Sequence, residues 1–299
     1  MLYPYEMSST NNAKKINALA QSQAWIYKFI LPDGSVSPGP ERKGPKNIAK
    51  VRVIQSLDLK GKNVLDVGCA EGMFSFYMAE EGANVTGIEV NRKRFEKAEF
   101  IKSQINISNV QFNLINAEKP ESWTSLSSKF DFGFCFSVLH RVSDPFNLIG
   151  NLAGKCDTLI FEWKAPEGFI SDKISLAFHE VEGQLDPRNI DTRDSLLSDE
   201  SIMDSGLEKP YWCPTVGTVQ EICGSFGFKT FKVIKIDTLN PIKVAYAYFD
   251  FLKKLFFRSN KPVAWRRYKR VMMICSRDEV INFEIKKIIK RHKWDGTVG

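Results

Sequence analysis

VLDVGCAEGMFSF, residues 64–76, sets two glycines, Gly68 and Gly72, between two apolar runs. Glycine lets the chain turn tightly and lets a ligand touch the backbone. A strand, a glycine turn and a helix in this order are typical of a nucleotide-binding cradle. Asp66 precedes the first glycine by two residues, and Ala70 replaces the middle glycine of the dinucleotide pattern. A carboxylate there suits a cationic ligand better than a pyrophosphate.

Strand-like and helix-like patterns alternate after this stretch. The apolar runs that predict strands are 63–68, 84–90, 110–116, 130–139, 157–163, 228–236 and 269–277. Helical periodicity lies between most of them, and the amphipathic segment 279–293 predicts a closing helix. Short apolar strands separated by helices indicate βαβ units and a parallel sheet. We therefore predict an α/β, Rossmann-like fold with a seven-stranded, mostly parallel sheet and helices on both faces.

The ends and two interruptions of the pattern define the domain organisation. Residues 1–45 are expected to form an N-terminal lid or extension, with a Pro-Asp-Gly turn at 32–34. Residues 46–299 are expected to form one domain. Segments 165–213 and 238–267 break the alternation, so they are expected to be insertions. Residues 20–45 and 165–213 are expected to roof the acceptor pocket.

Composition places the chain among ordinary globular proteins. It has 299 residues, of which 43% are hydrophobic and 26% are charged. No window is long and apolar enough for a membrane span, and the start lacks a secretory pattern, so we expect a cytoplasmic protein. The six cysteines have no CxxC spacing, so neither a zinc site nor a disulfide framework is indicated. The sequence leaves the oligomeric state open.

The net charge of +7 is spread unevenly. Residues 228–299 carry 18 basic and 6 acidic side chains, so this part is strongly positive. Within it, a stripe of apolar residues at helical spacing runs from Ile242 to Phe256 among lysines and arginines. This pattern is compatible with an anionic membrane surface, with RNA, or with packing against the protein's own domain. A solvated basic face without a partner is a fourth interpretation.

A second signal comes 17 residues after Gly72, where Glu89 ends the second predicted strand. An acid at this place can accept hydrogen bonds from both hydroxyls of a ribose. Together with the glycine turn and seven strand candidates, it makes the chain resemble the class I S-adenosylmethionine-dependent methyltransferases. The motifs that carry this resemblance cover about residues 46–236.

The resemblance implies the residues that hold S-adenosyl-L-methionine. The glycine loop would lie under the methionine part, and Glu89 would hold the ribose. Asn116 would meet the adenine amino group through its carbonyl oxygen, in a position where the family usually has an acid. The positions that match the family's cofactor site are Asp66, Gly68, Cys69, Ala70, Gly72, Glu89, Asn116, Ala117, Phe136 and Ser137. No metal is implied.

A nearer likeness exists within this class. The segments FSVLHRVSDPFNLIGNL, LIFEW and YWCPTVGTVQEICGSFGF resemble those of the tRNA wobble-uridine carboxymethyltransferase family. ERKGP is similar to a basic motif of that family, whose lysine, here Lys43, would meet the extra carboxylate of a carboxylated cofactor. The spacing from Lys43 to the first strand is much shorter here, so the carboxylated cofactor is not carried over. The glycine motif also resembles methyltransferases that cap bacterial polysaccharide chains.

Methyl transfer from a sulfonium needs an aligned acceptor and, for a hydroxyl, a base. His140 follows the fourth strand and is the first candidate, while His179 and Glu180 could reach in from the insertion. Glu162 and Trp163 end the fifth strand, so we expect them to line the acceptor pocket. The expected acceptor is a hydroxyl of a small molecule or glycan. An RNA-modifying (carboxy)methyltransferase and a non-catalytic cofactor-binding protein are the alternatives.

Overall fold

The computed structural model describes most of the chain. The described residues are 4–42, 44–126, 129–166, 177–180, 211–235, 268–279, 284–285, 290 and 292–296. Most of the two predicted insertions, 165–213 and 238–267, therefore lies outside the described residues, and so does the stripe from Ile242 to Phe256. None of the helices in the described ranges combines the length and hydropathy that crossing a membrane requires.

Seven strands form one sheet in the order β3-β2-β1-β4-β5-β9-β8. These strands are β1 (Asn63–Val67), β2 (Asn84–Glu89), β3 (Val110–Leu114), β4 (Phe130–Phe136), β5 (Cys156–Pro166), β8 (Thr230–Lys235) and β9 (Tyr268–Ser276). Strands β1 to β5 pair in parallel, whereas β9 runs antiparallel to both β5 and β8. The predicted seven-stranded, mostly parallel sheet is thus confirmed. A separate antiparallel pair consists of β6 (Ala177–Glu180) and β7 (Tyr211–Pro214).

Six α-helices lie in the described part of the chain. They are α1 (Pro4–Ser22), α2 (Pro45–Ser56), α3 (Met73–Glu80), α4 (Arg92–Ile105), α5 (Pro145–Lys155) and α6 (Val216–Ser225). The sequence sets several of these boundaries by capping. The side chains of Asn91, Asp144 and Thr215 accept hydrogen bonds from backbone amides in the first turns of α4, α5 and α6.

Two hydrophobic cores lie on opposite faces of the sheet. Successive strand residues point to opposite faces, so Val64 belongs to one core and its neighbour Leu65 to the other. The first core packs side chains of α1 to α4, and the second packs those of α5 and α6. Helices therefore cover both faces of the sheet, as the alternating pattern predicted.

The N-terminal segment and the described end of the chain meet on α3. Ile30 bridges Val36 around the predicted turn, and Phe29 bridges Asp295. The Phe29 and Trp294 rings stack with centroids 6.3 Å apart, and the Tyr77 hydroxyl of α3 hydrogen-bonds Asp295. Most of the predicted closing helix, 279–293, lies outside the described residues. The described end, 292–296, forms a turn.

Candidate functional site

A cavity of about 240 Å³ opens at the carboxyl ends of the parallel strands. Its walls come from the residues that follow β1, β2, β3 and β4, together with the N-terminal segment and the first turns of α2. Ligands of open α/β sheets bind at this edge, near the point where the strand order reverses. In this sheet the reversal lies between β1 and β4.

The glycine turn forms the floor of the cavity through backbone in a left-handed conformation. Gly68 has φ +69° and Gly72 has φ +82°, and Ala70 between them has φ 52°. A Cβ atom at Gly68 would lie 2.3 Å from Cγ2 of Val138, so only glycine fits at this point. At Gly72 the same atom would lie 2.6 Å from the Phe112 ring. Glycine is therefore needed at these positions for two reasons: the left-handed turn, and the close approach of the Val138 and Phe112 side chains.

Glu89 is buried at the end of β2 and fixes the turn beside it. One carboxylate oxygen accepts a hydrogen bond of 2.9 Å from the amide of Ala70, and the other accepts one of 2.9 Å from the amide of Asn91. A carboxylate oxygen has two acceptor positions, so each oxygen retains one for a ligand hydroxyl. Glu89 can thus hold a ribose and keep the strained Ala70 in place.

The N-terminal segment is tied to the cavity by a buried ion pair that the sequence analysis missed. Glu71 accepts hydrogen bonds from the amides of Ile26 at 2.8 Å and Tyr27 at 2.9 Å. Lys97 of α4 lies 3.6 Å from Glu71 and donates to the carbonyls of Gln23 and Ala24 at 2.6 and 3.0 Å. Burial raises the pKa of Glu71, and the positive charge of Lys97 opposes this rise. The acid inside the glycine motif is visible in the sequence, but no local pattern identifies Ile26, Tyr27 or Lys97 as its partners.

A second buried charge cluster lies just past the end of β4, where β5 pairs with β9. Glu162 pairs with Lys50 of α2 at 2.8 Å and with Arg270 of β9 at 2.8 Å, and it accepts from the Ser137 hydroxyl at 2.6 Å. Burial raises the pKa of Glu162, but the two cations outweigh burial and hold it well below its usual range. Ser137 has φ 62° and lines the cavity. The cluster fixes this strained residue beside the site.

The predicted catalytic residues do not form one arrangement. Glu162 is fully buried in its ion pairs and is not part of the wall of this cavity, so its place in an acceptor pocket stays a prediction. Trp163 is also fully buried, and its Nε1 donates to the carbonyl of Pro214 at 2.9 Å, so it packs instead of lining a pocket. The backbone of His179 lies in β6, but its side chain and that of Glu180 lie outside the described residues.

His140 is buried behind the cavity wall, near Glu162. Its Nδ1 faces the amide of Lys164 at 3.5 Å, and its Nε2 has no hydrogen-bond partner among the residues that the structure describes. Burial, together with the charges of Arg141 and Arg270, lowers the pKa of His140 well below its usual value. The imidazole is therefore neutral at physiological pH, as a general base must be, and its lowered pKa also makes it a weaker base than an ordinary histidine.

Most of the residues predicted to hold the cofactor meet at the cavity. Those that line it are Gly68, Ala70, Glu89, Asn116, Ala117, Phe136 and Ser137. The Asn116 side-chain oxygen accepts from the amide of Glu118 at 2.9 Å and has a second acceptor position left.

Three predicted residues, Asp66, Cys69 and Gly72, are not part of the wall. The Asp66 carboxylate accepts from Ser75 at 2.6 Å inside the core, and Cys69 is buried. Their direct contact with a cofactor stays a prediction. Lys43 lies outside the described residues. The lining residues as a whole fit the implied cofactor, S-adenosyl-L-methionine. The ends of three neighbouring strands offer, in turn, the bare backbone of Gly68, the carboxylate of Glu89 with free acceptor positions, and the side-chain amide of Asn116.

Comparison with known proteins gives one family model and several relatives. A model described as a methyltransferase domain matches residues 58–185. The chain is 25% identical over 223 residues to the tRNA U34 carboxymethyltransferase of Campylobacter hominis, covering 70% of each protein. It is 35% identical over 101 residues to the ubiquinone biosynthesis O-methyltransferase of Coxiella burnetii, covering 33% of this chain and 41% of that protein.

A solved structure with a similar fold is the N-terminal domain of EvdMO1, crystallised in the presence of SAH and D-fucose. The two structures superpose with a TM-score of 0.60 over 89% of this chain and 96% of the other, at 14% sequence identity. At this identity the likeness concerns the fold alone.

Proposed function

This chain is a class I S-adenosylmethionine-dependent methyltransferase, and we propose that it methylates a hydroxyl group of a small molecule or glycan by direct in-line transfer. S-adenosyl-L-methionine is the cofactor, and it supplies a methyl group on a sulfonium, a good electrophile. The residues of the chain then have three tasks: to hold the nucleoside, to position the acceptor, and to receive the proton of the acceptor hydroxyl.

The observation that carries the proposal is the enclosure of the cavity by the N-terminal segment. Ala24, Trp25, Ile26 and Tyr27 form one wall, and the contacts with Glu71 and Lys97 hold that wall against the glycine turn. The cofactor takes up much of this cavity of about 240 Å³, so the fixed wall leaves room only for a compact acceptor. Such a wall also keeps water from the sulfonium.

We assign the base to His140 and a positioning role to Glu162. His140 is neutral, and its Nε2 has no partner among the described residues. The base role uses the tautomer with the hydrogen on Nδ1, which gives up the 3.5 Å contact with the Lys164 amide and leaves Nε2 free to accept a proton. Glu162 is a poor base, because Lys50, Arg270 and Ser137 already engage its oxygens. Through Ser137 it fixes the end of β4, where the acceptor side of the cavity begins.

A second candidate function is an RNA-modifying (carboxy)methyltransferase of the wobble-uridine type. The alignment with the Campylobacter hominis enzyme supports this candidate, since it covers 70% of this chain and extends beyond the cofactor motifs. The basic region 228–299 would supply the attraction for RNA.

The test is incubation of the protein with cofactor labelled at the methyl group and with fractionated cell extract. The proposal expects label in the small-molecule or glycan fraction, and label in RNA would support the second candidate instead. Gly68→Val is the inactive control, because a side chain at this φ would collide with Val138. Gly154→Ala is the matched control, because a Cβ at that position meets no atom within 4 Å. No label in any fraction would contradict the proposal.

A further inference from the structure

Two cations beside the cavity have no acidic partner in the described part of the chain. Lys46 lies in the first turn of α2 and lines the cavity, and its ammonium makes no hydrogen bond or ion pair with the residues that the structure describes. Arg42 lines the cavity just before α2, and its Nε donates to the carbonyl of Ile26 at 2.6 Å. That bond orients the guanidinium, and none of the acidic side chains in the described ranges forms an ion pair with it.

The surroundings of Lys46 add positive charge instead of removing it. Lys50 and Arg270 share the single carboxylate of Glu162, so this group of four side chains carries a net positive charge. Burial, and after it the charges of Arg270 and Lys50, lower the pKa of Lys46 to about 8, and the charge of Glu162 opposes this shift. A half-buried lysine in such a field is stabilised by an anion that binds next to it.

The cavity as a whole is also rich in cations. Its walls include five basic residues, Arg42, Lys46, Lys50, Arg94 and Arg141, and two acidic residues, Glu89 and Glu118. Lys50 is already compensated by Glu162, so the charges that a ligand has to balance are those of Lys46 and Arg42. S-adenosylmethionine does not balance them, because it carries one carboxylate but also an ammonium and a sulfonium. The remaining partner of the reaction is the acceptor, so charge complementarity assigns the missing anion to it.

We propose that Lys46 and Arg42 bind an anionic group of the methyl acceptor, a carboxylate or a phosphate ester. The inference rests on the proposed function and narrows it to an acidic small molecule or glycan, such as a sugar acid or a sugar phosphate. Arg42 offers several hydrogen-bond donors in one plane, and Lys46 offers a compact positive charge. Together they can bind a carboxylate or a phosphate ester. The hydroxyl to be methylated lies on the same acceptor, on the side of Ser137.

The test uses the full chain saturated with S-adenosylhomocysteine, which occupies the cofactor's place. Inorganic phosphate and acetate are titrated into it at constant ionic strength, and binding is measured by calorimetry. Lys46→Met is the test variant. Arg52→Met is the matched control, because Arg52 lies on the exposed side of the same helix. Circular dichroism and the affinity for S-adenosylhomocysteine report whether each variant is folded.

The proposal expects that at least one anion binds the loaded protein and that Lys46→Met weakens this binding about tenfold. The affinity for S-adenosylhomocysteine stays within about twofold, and Arg52→Met changes neither value. A failure of both anions to bind the loaded protein would overturn the proposal. So would a loss of S-adenosylhomocysteine affinity in folded Lys46→Met, since the cations would then serve the cofactor. Tighter, Lys46-dependent binding of a carboxylated donor than of S-adenosylmethionine would overturn it too.

The labelled product gives a second readout that separates this inference from the proposed function. If label enters the small-molecule or glycan fraction, the product should bind an anion-exchange resin, and Lys46→Met should lower kcat/KM for it about tenfold. A neutral product would overturn the anionic acceptor while leaving the O-methylation proposal intact. Absence of label from that fraction would count against the proposed function, and the calorimetric result would still decide whether the anion site exists.

Discussion

The ammonium of Lys50 lies 2.8 Å from the carboxylate of Glu162, and both side chains are almost completely buried. Lys50 belongs to α2 and Glu162 to β5, so this contact fastens the helix that carries Lys46 to the centre of the sheet. Because Glu162 also holds Arg270 and Ser137, one carboxylate organises the acceptor side of the cavity.

Replacing Glu162 by Gln should destabilise the protein strongly. The change leaves Lys50 and Arg270 as buried cations without a compensating charge, which costs about 3–5 kcal/mol in the free energy of unfolding. Urea unfolding followed by circular dichroism measures this value. The double variant Lys50→Met/Glu162→Gln should recover part of the loss. A single variant within about 1 kcal/mol of wild type would show that the cluster does not hold the structure together.

Replacing Glu71 by Gln should weaken cofactor binding and also lower stability, because the buried Lys97 loses its compensating charge. Binding is therefore compared at a temperature at which circular dichroism shows the variant to be folded. The variant loses the charge that compensates Lys97 and keeps one of its two acceptor oxygens, so the wall formed by Ile26 and Tyr27 loosens. We expect the Kd for S-adenosylhomocysteine to rise about tenfold.

Calorimetry checks the Glu71 prediction, with Glu99→Gln as the control. Glu99 lies on α4 and makes a more exposed contact of 3.9 Å with Lys102. If both variants bind S-adenosylhomocysteine as tightly as wild type, the N-terminal wall takes no part in binding.

The stability of the cofactor-free protein should depend on pH through Asp66. Burial raises the pKa of Asp66 from 3.8 to about 6, and the hydrogen bond from Ser75 and the charge of Lys50 oppose this rise. The native state therefore holds a proton that the unfolded chain releases earlier. This contribution to stability is present below pH 3.8 and is lost as the pH rises through about 6.

The matching variant is Asp66→Asn, which keeps the acceptor for Ser75 but cannot ionise. At pH 8 it should be more stable than wild type by up to about 3 kcal/mol, and this difference should shrink towards pH 4. Denaturant unfolding at a series of pH values gives the comparison. A difference that does not change with pH would mean that Asp66 titrates as an ordinary carboxyl group.

His140→Ala should lower kcat and leave cofactor affinity unchanged, because His140 is proposed as the base and lies behind the residues that hold the nucleoside. From that position it receives the proton through one intervening water. Loss of a general base costs about 10²- to 10⁴-fold in rate. The pKa of His140 is held well below its usual value, so His140 is not protonated between pH 8 and about 6.5. The wild-type kcat should therefore show no decrease over this range that is caused by protonation of His140. Labelled methyl transfer and calorimetry provide the two readouts. Full turnover by the variant would remove His140 from the mechanism.

The sheet and the cofactor side of the cavity could be read from the sequence, because both rest on local patterns. A few consecutive residues are enough to recognise each apolar strand, the glycines at 68 and 72, and the acid that ends β2. The order of the strands in the sheet could not be predicted from such local patterns. A seventh strand was expected, but its antiparallel direction and its place between β5 and β8 were not.

The charged contacts around the cavity could not be predicted, because they join distant parts of the chain. Glu71 is separated from Ile26 by 45 positions, and Arg270 from Glu162 by 108. For a single acid or lysine in a helix or strand, the local sequence does not show which distant residue forms the ion pair with it. The same limit applies to Glu162. The sequence placed it at the end of the fifth strand, whereas β5 continues to Pro166, and the burial of Glu162 depends on Lys50 and Arg270.

The most direct measurement of the central claim is calorimetric titration of S-adenosylhomocysteine into the wild-type protein and into Glu89→Gln. Glu89 retains one acceptor position on each carboxylate oxygen, so we predict one bound nucleoside per chain and an affinity about tenfold lower in the variant. NADH, titrated in the same way, should give no heat of binding. Binding of NADH in place of S-adenosylhomocysteine, or equal affinity in wild type and Glu89→Gln, would contradict the account.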